Sequence, residues 1–535
     1  MAKKIIYGTE ARQKLLSGVE QVAKAVTITL GPKGRNVALD KKWIEPQVIH
    51  DGVTVAREID LPDFDENIGA RLVRQASSKT NDKAGDGTTT SMLLAWKMIA
   101  QGMQHLEKGV NPMTMKKGIM AATDIAIEEL KKISIPVQTK EQITQVASVS
   151  SADKELGTMI GEAMEKVGKE GVITVEEGAG LSTTIEYKEG MEFDKGYISA
   201  YFSTNDEKME AESESPYILI TDQVISDAQA LAAFLKRFVE ETNRQEIVFI
   251  ASNIEGAALG TLLINKERGG IKPLGIFAPG FAERRKDILE DIAILTGGTV
   301  IARDKGMKLE NVKVDQLGRA DRIWCDGEKT KIIGGMGSAE AIASRAQQIR
   351  ELIAKTDSDF EKDKLKERLA RLTSGAAIIK VGAMTEVELK ERKERVIDAV
   401  EATKSAVEEG IVAGGGITPY WLAKNVAEGK NQAVNDHVKA GMDIVYQALL
   451  SPLNKILENA GIDSKEIIAQ IEVANKKNYG YDVETEEYGD LIEKGIVDPT
   501  KVTRNAIQNA ASVASLILTT EATVTDIEEE KKKEE

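Results

Sequence analysis

At 535 residues the chain is long enough for roughly three domains, and its 42% apolar content can fill sizeable cores. A net charge of −15 argues against a nucleic-acid binder, because phosphate contacts need a basic face. One cysteine, Cys325, excludes an internal disulfide, and no apolar run reaches the 18 residues that suggest a membrane span.

Met1 to Gly8 carries basic residues but no apolar stretch of signal-peptide length, so with the lone cysteine the chain reads as cytoplasmic. Leu15, Leu16, Val19, Val22 and Val26 then form a helical stripe within a mostly helical block over 9–135. That stripe runs out at Thr29-Leu30-Gly31-Pro32-Lys33-Gly34-Arg35, a turn rich in glycine and positive charge. A second short segment is Asp51-Gly52-Val53-Thr54. Ala84-Gly85-Asp86-Gly87-Thr88-Thr89-Thr90 runs straight into an apolar-periodic helix. The first N–H groups of a helix lack partners and its dipole favours negative charge there, so this segment has the parts of a Mg²⁺-phosphate cradle. A glycine turn followed by a threonine N-cap fits it equally well. No Walker pattern and no Rossmann fingerprint is present.

Met113 to Ile133 and 140–168 are helical, followed by short strands at 172–175 and 183–187. Between about 190 and 335 strands such as 217–220 and 247–251 alternate with helices near 227–242 and 255–267, an α/β pattern. A charged helical hairpin spans 338–372, a charged helix 385–409, and helical periodicity returns over 433–475. Ala413-Gly414-Gly415-Gly416 is a further glycine turn. The tail 527–535 is low-complexity and expected to be disordered.

In this order the fragments resemble a group I chaperonin of the bacterial GroEL type, from Ala2 to about Asp526. The matching segments are TLGPKGRNV (29–37), DGVTVAREI (51–59), AGDGTTT (84–90), VNPM (110–113), APGF (278–281), DIAILTGGTVI (291–301), KVGAMTEVELKE (380–391), VEEGIVAGGG (407–416), NYGYD (478–482) and DPTKVTR (498–504). The resemblance implies a multidomain α/β chaperonin fold. A mostly helical equatorial ATPase and ring-contact domain would comprise 2–132 and 411–526. A small α/β intermediate domain would take 133–189 and 375–410, and an α/β apical domain 190–374.

It further implies an ATP hydrolase of the protein-folding isomerase class, using ATP and Mg²⁺. Asp86 matches the Mg²⁺ ligand, and Gly87, Thr88, Thr89 and Thr90 the phosphate cradle. Thr29, Leu30, Gly31 and Pro32 match the loop over the phosphates, Gly415 a nucleotide-contacting glycine, and Asp498 the ribose contact. Asp398 matches a carboxylate that helps position the attacking water, and Asp51 a second carboxylate beside it. By periodicity alone Asp398 is only one charged residue on a helix whose other face carries Leu389, Val396, Val400 and Val407. Two departures stand out. His50 replaces the usual lysine, although its carbonyl could still hold K⁺. Asp482-Val483-Glu484 replaces Asn-Ala-Ala near the adenine.

Non-native polypeptides expose apolar surface, so their receptor needs an apolar patch. The resemblance puts it at Tyr197, Tyr201, Phe202, Leu235, Leu259, Leu263 and Ile264, where a GroES-type co-chaperonin would also bind. Core packing of two amphipathic helices is the plainer account of those positions. The expected assembly is a homo-oligomer of seven-membered rings, with no nucleic acid and no membrane. A double ring would be weakened because Asn454 stands opposite Asp463 where an ion pair is usual. A small-molecule phosphotransferase and a non-hydrolysing scaffold are the competing readings. The first lacks a second substrate pocket, and the second fits poorly with Asp51, Asp86 and Asp398 together.

Overall fold

The computed structural model describes residues 3–40, 47–49, 51–151, 153–168, 171–178, 180–205, 208–356 and 358–526. His50 and the tail 527–535 lie outside the described residues. The chain divides into two compact units, one formed by Met1–Gly161 with Glu394–Glu535 and the other by Glu162–Lys393. Among the described residues no helix is long and apolar enough to cross a membrane.

The first unit is built on helices whose apolar stripes face one another. In helix Gly8–Thr27 the residues Leu15, Val19, Val22 and Val26 are fully buried at helical spacing. Helix Thr88–Glu107 contributes Met92, Leu94, Met98 and Ile99, and helix Thr500–Leu518 contributes Ile507, Ala511, Ala514 and Ile517 to the same core. Each such Val, Leu, Ile or Met side chain stabilises the unit by about 1.5–3 kcal/mol on burial. Strand Lys3–Tyr7 pairs antiparallel with strand Ala522–Asp526, with Tyr7 opposite Ala522. A smaller core gathers Ile417, Leu453, Leu457, Ile471, Val483 and Leu491 around the hairpin of strands Tyr479–Asp482 and Glu487–Asp490.

The helical region 140–168 consists of two helices, Lys140–Ser151 and Lys154–Val167. Asp153 makes the break, because its carboxylate accepts from the N–H groups of Glu155 and Leu156 and so starts a new helix.

In the second unit, ten strands among the described residues form one mixed sheet. Its parallel part runs Lys272–Phe277, Glu246–Ala251, Tyr217–Thr221, with helices Ala228–Thr242 and Gly256–Glu267 in the intervening sequence. Gly318–Cys325, Thr330–Gly335, Thr184–Phe193, Gly375–Val381 and Val172–Glu177 continue it. The helices Ala339–Lys355 and Asp359–Thr373 form the expected charged hairpin. Asp291, almost fully buried, anchors them by accepting from Arg345 and Arg368.

Candidate functional site

Helix Phe64–Ala84 ends at Gly85, whose φ of 71° is the left-handed conformation that closes a helix. Two residues on, Gly87 at φ 85° is the N-cap of helix Thr88–Glu107, and no side chain caps that end. The first intrahelical bond is from the Ser91 N–H to the Gly87 carbonyl, 2.9 Å. The N–H groups of Thr88, Thr89 and Thr90 therefore point off the start of a 20-residue helix. The Thr88 hydroxyl is buried and has no hydrogen-bond partner among the described residues. Its carbonyl, by contrast, accepts from both Ser77 and Ser91.

Carboxylates surround this helix start. Asp51 caps helix Gly52–Glu58, accepting from Val53 N–H at 2.9 Å and Thr54 N–H at 2.7 Å. A Cβ added at Gly52 would lie 2.3 Å from the Thr89 hydroxyl, so the two helix starts touch. Solvent reaches Asp86, yet desolvation raises its carboxyl, the Gly87 N–H pulls it down, and the Asp51 charge adds to the rise. Asp398, on helix Glu386–Glu409, is pushed up to about 8 by burial first, then by the charges of Asp86, Asp51, Glu394 and Glu401. Asp498 is pushed up to about 7 by burial and by Asp86. It sits on strand Val497–Pro499, opposite Val412. A Cβ on Gly414 would come within 3.0 Å of its carboxylate.

Four carboxylates thus share one electrostatic neighbourhood without converging. Among the described residues no three side chains lie close enough to hold a metal by themselves. That arrangement fits Mg²⁺ in its usual mode, held by one or two carboxylates with phosphates and water completing the shell.

The turn over 29–35 is tied from the side. Asn459, at the end of helix Ser451–Asn459, donates to the carbonyls of Thr27 at 3.0 Å and Leu30 at 2.9 Å. Thr29 bonds back to Val26, Gly31 rests against Ile456, and Pro32 is exposed. Lys33 pairs with Glu486 at 3.1 Å, which joins this turn to the Asp482–Glu487 hairpin turn. Sequence reasoning missed Asn459, since one asparagine in a last helical turn carries no motif. Gly415 lies against Leu491. Asp482 and Val483 are both buried. The Asp482 carboxylate accepts from Thr485 Oγ1 at 2.7 Å and from the N–H groups of Glu484 and Thr485. Burial raises that carboxyl, but these bonds and Lys494 outweigh it and hold it below its usual range. The carboxylate is therefore committed to its own turn, and Val483 belongs to the small core.

In the second unit the apolar patch is smaller than expected. Tyr201 is 78% exposed and Ile264 52%, while Tyr197, Leu259 and Leu263 are half-buried. Phe202 and Leu235 do not belong to the surface: they are 1% and 6% exposed. Phe202 packs against Gly275 of the sheet, within 2.9 Å of where a Cβ would be. Leu235 lies on the inner face of its helix with Leu231, Phe234 and Phe238, as the 3.6-residue period requires. Lys266 donates to the carbonyls of Tyr201 and Ser203, both at 2.8 Å, and holds that segment on helix Gly256–Glu267.

Residues 22–528 match the model of the TCP-1/cpn60 chaperonin family. Two solved structures match along the length, both of the chaperonin gp146 from bacteriophage EL 2 (Pseudomonas aeruginosa), crystallised in the presence of ATP-BeFx. One crystal form has a TM-score of 0.74 at 21% identity, covering 98% of this chain and 99% of that one. The other has a TM-score of 0.64 at 22% identity with the same coverage.

Proposed function

Because this chain belongs to the TCP-1/cpn60 chaperonin family and has the chaperonin fold, we propose that it is an ATP-hydrolysing chaperone whose site lies at the start of helix Thr88–Glu107. The observation that carries this reading is the uncapped helix start, with its unpartnered Thr88 hydroxyl, set among Asp51, Asp86 and Asp398. Donors wait there for phosphate oxygens, and acidic groups wait for a cation and a water. Mg²⁺ bound with ATP would neutralise phosphate charge. Asp86 would hold it, and the N–H groups of Thr88 to Thr90 would take the phosphates. Asp398 and Asp51 would orient the attacking water. Asp498 and Gly415 would flank the nucleoside. With the Asp482 carboxylate committed to its turn, base contacts at 482–483 would come from the backbone and Val483. His50 retains the assignment of its carbonyl to K⁺.

The domain reading proposed is equatorial (2–132, 411–526), intermediate (133–189, 375–410) and apical (190–374). The exposed Tyr201 and Ile264, with Leu259 and Leu263, support capture of non-native chains and of a GroES-type lid on the apical part. The assembly proposed is a seven-membered ring, stacked as a double ring, working in the cytoplasm. ATP turnover measured with and without denatured protein tests the reading. Absence of Mg²⁺-dependent turnover, or of any binding to denatured protein, would overturn it.

A further inference from the structure

Helix Glu386–Glu409 lies directly on the loop between helices Phe64–Ala84 and Thr88–Glu107, through two contacts one turn apart. Ser405, 3% exposed, donates its hydroxyl to the Ala84 carbonyl at 2.9 Å across 321 positions of sequence. Ala84 is the last residue of its helix, so that carbonyl has no intrahelical partner, and burial without one would be costly. One turn earlier, Glu401 packs on Gly85. A Cβ at Gly85 would lie 2.0 Å from the Glu401 Cβ and 3.2 Å from its Cα. Any side chain there would force the helix away. Asp398, Glu401 and Ser405 stand at i, i+3 and i+7, one face of the helix. The face that meets the loop is therefore the face that carries Asp398.

We propose that Ser405 and Gly85 form a docking seam that fixes the distance of Asp398 from the phosphate loop, which makes Ser405 a positioning residue for hydrolysis. This rests on the site reading above. The seam acts on the water-positioning carboxylate and leaves the phosphate-binding amides intact. Loss of the Ser405 hydroxyl should therefore slow turnover and spare nucleotide binding. A residue that only stabilises the fold would shift both together.

The test compares the full-length parent with Ser405→Ala and Ser405→Thr, the second keeping the hydroxyl. Three quantities are read: kcat, the Kd of Mg-ATP, and hydrogen–deuterium exchange over 84–90 and 398–406 without nucleotide. Ser405→Ala is expected to lower kcat about 5- to 10-fold, leave Kd within about twofold, and speed exchange in both segments. Ser405→Thr should recover most of each change. Unchanged exchange, or kcat and Kd worsening in step, overturns the seam. If the parent itself has no turnover, the site reading fails separately, and the exchange comparison still decides whether Ser405 docks the helix.

Discussion

Asp398→Ala is expected to keep Mg-ATP binding and lose about 10²-fold in turnover, the usual effect of removing a positioned catalytic group. Asp86→Ala should instead weaken Mg-ATP binding itself, which calorimetry separates from a kinetic loss. Thr88→Val has a distinctive sign. A buried hydroxyl without a partner is a liability in the ligand-free protein, so the apolar isostere should leave stability unchanged or raise it by about 1 kcal/mol. The same variant should bind ATP more weakly. A loss of stability with normal ATP affinity would show that the hydroxyl is not waiting for phosphate. The raised carboxyls make a further statement about pH. Asp398 and Asp498, at about 8 and about 7, hold protons that the unfolded chain has already released above about pH 4. The unfolded state therefore binds fewer protons, and ligand-free stability should fall as pH rises from about 4 to about 8. Asp398→Asn should flatten that trend in thermal melts at pH 6 and pH 8.5.

At the level of elements, helix Gly256–Glu267 is where recognition and packing can be told apart. Leu263→Ser and Ile264→Ser change half-buried or exposed positions, so they should abolish binding of a denatured protein and leave basal ATPase intact. Phe202→Ala and Leu235→Ala change core positions and should cost about 2–5 kcal/mol of stability in the second unit, with any binding defect secondary to that loss. Normal melting of those two variants would contradict their placement. The same contrast shows what a sequence can display. Helical stripes such as Leu15-Val19-Val22-Val26 were legible, because burial follows the period directly. The segment 84–90 was legible as a cradle or as a plain turn with a threonine cap, and the structure removes the cap, because Gly87 is the N-cap and no side chain bonds to that end. Leu235 follows its helix's apolar stripe, whereas in the more evenly apolar helix Gly256–Glu267 only tertiary contact decides that Leu262 turns inward and Leu263 stays partly exposed. Asp398 was legible through resemblance alone, since the carboxylates that act on it, Asp86 and Asp51, lie more than three hundred positions away. Ser405 and Asn459 were not legible at all: each acts through one hydrogen bond to a distant carbonyl.

For the assembled particle, the residues proposed at the ring-to-ring contact are already engaged at home. Asn454 donates to the Leu450 carbonyl, Lys455 pairs with Glu458 at 2.8 Å, and Asp463 caps helix Ser464–Ala474. The neighbouring cation, Lys455, is thus already paired within its own helix. An exposed ion pair contributes only about 0–1 kcal/mol, but a symmetric interface repeats the loss in every subunit. A heptamer that resists dilution is expected, with pairing of rings that weakens in salt or on dilution. Mass photometry over a dilution series, with and without ATP, measures this. A fourteen-subunit particle persisting at nanomolar concentration in high salt would refute it.

The pairing of strand Lys3–Tyr7 with Ala522–Asp526 bears on how the protein is made. A ribosome delivers the first of these strands long before the last. At about 5–20 residues per second, the wait is roughly half a minute to two minutes. During it, the apolar faces of helices Gly8–Thr27 and Thr88–Glu107 lack helix Thr500–Leu518, which completes their core. The Glu162–Lys393 unit, contiguous in the chain, is free to fold in the meantime. A protein whose proposed work is to shelter unfinished chains is thus itself unfinished for most of its own synthesis, and its N-terminal third needs such shelter as much as any client does.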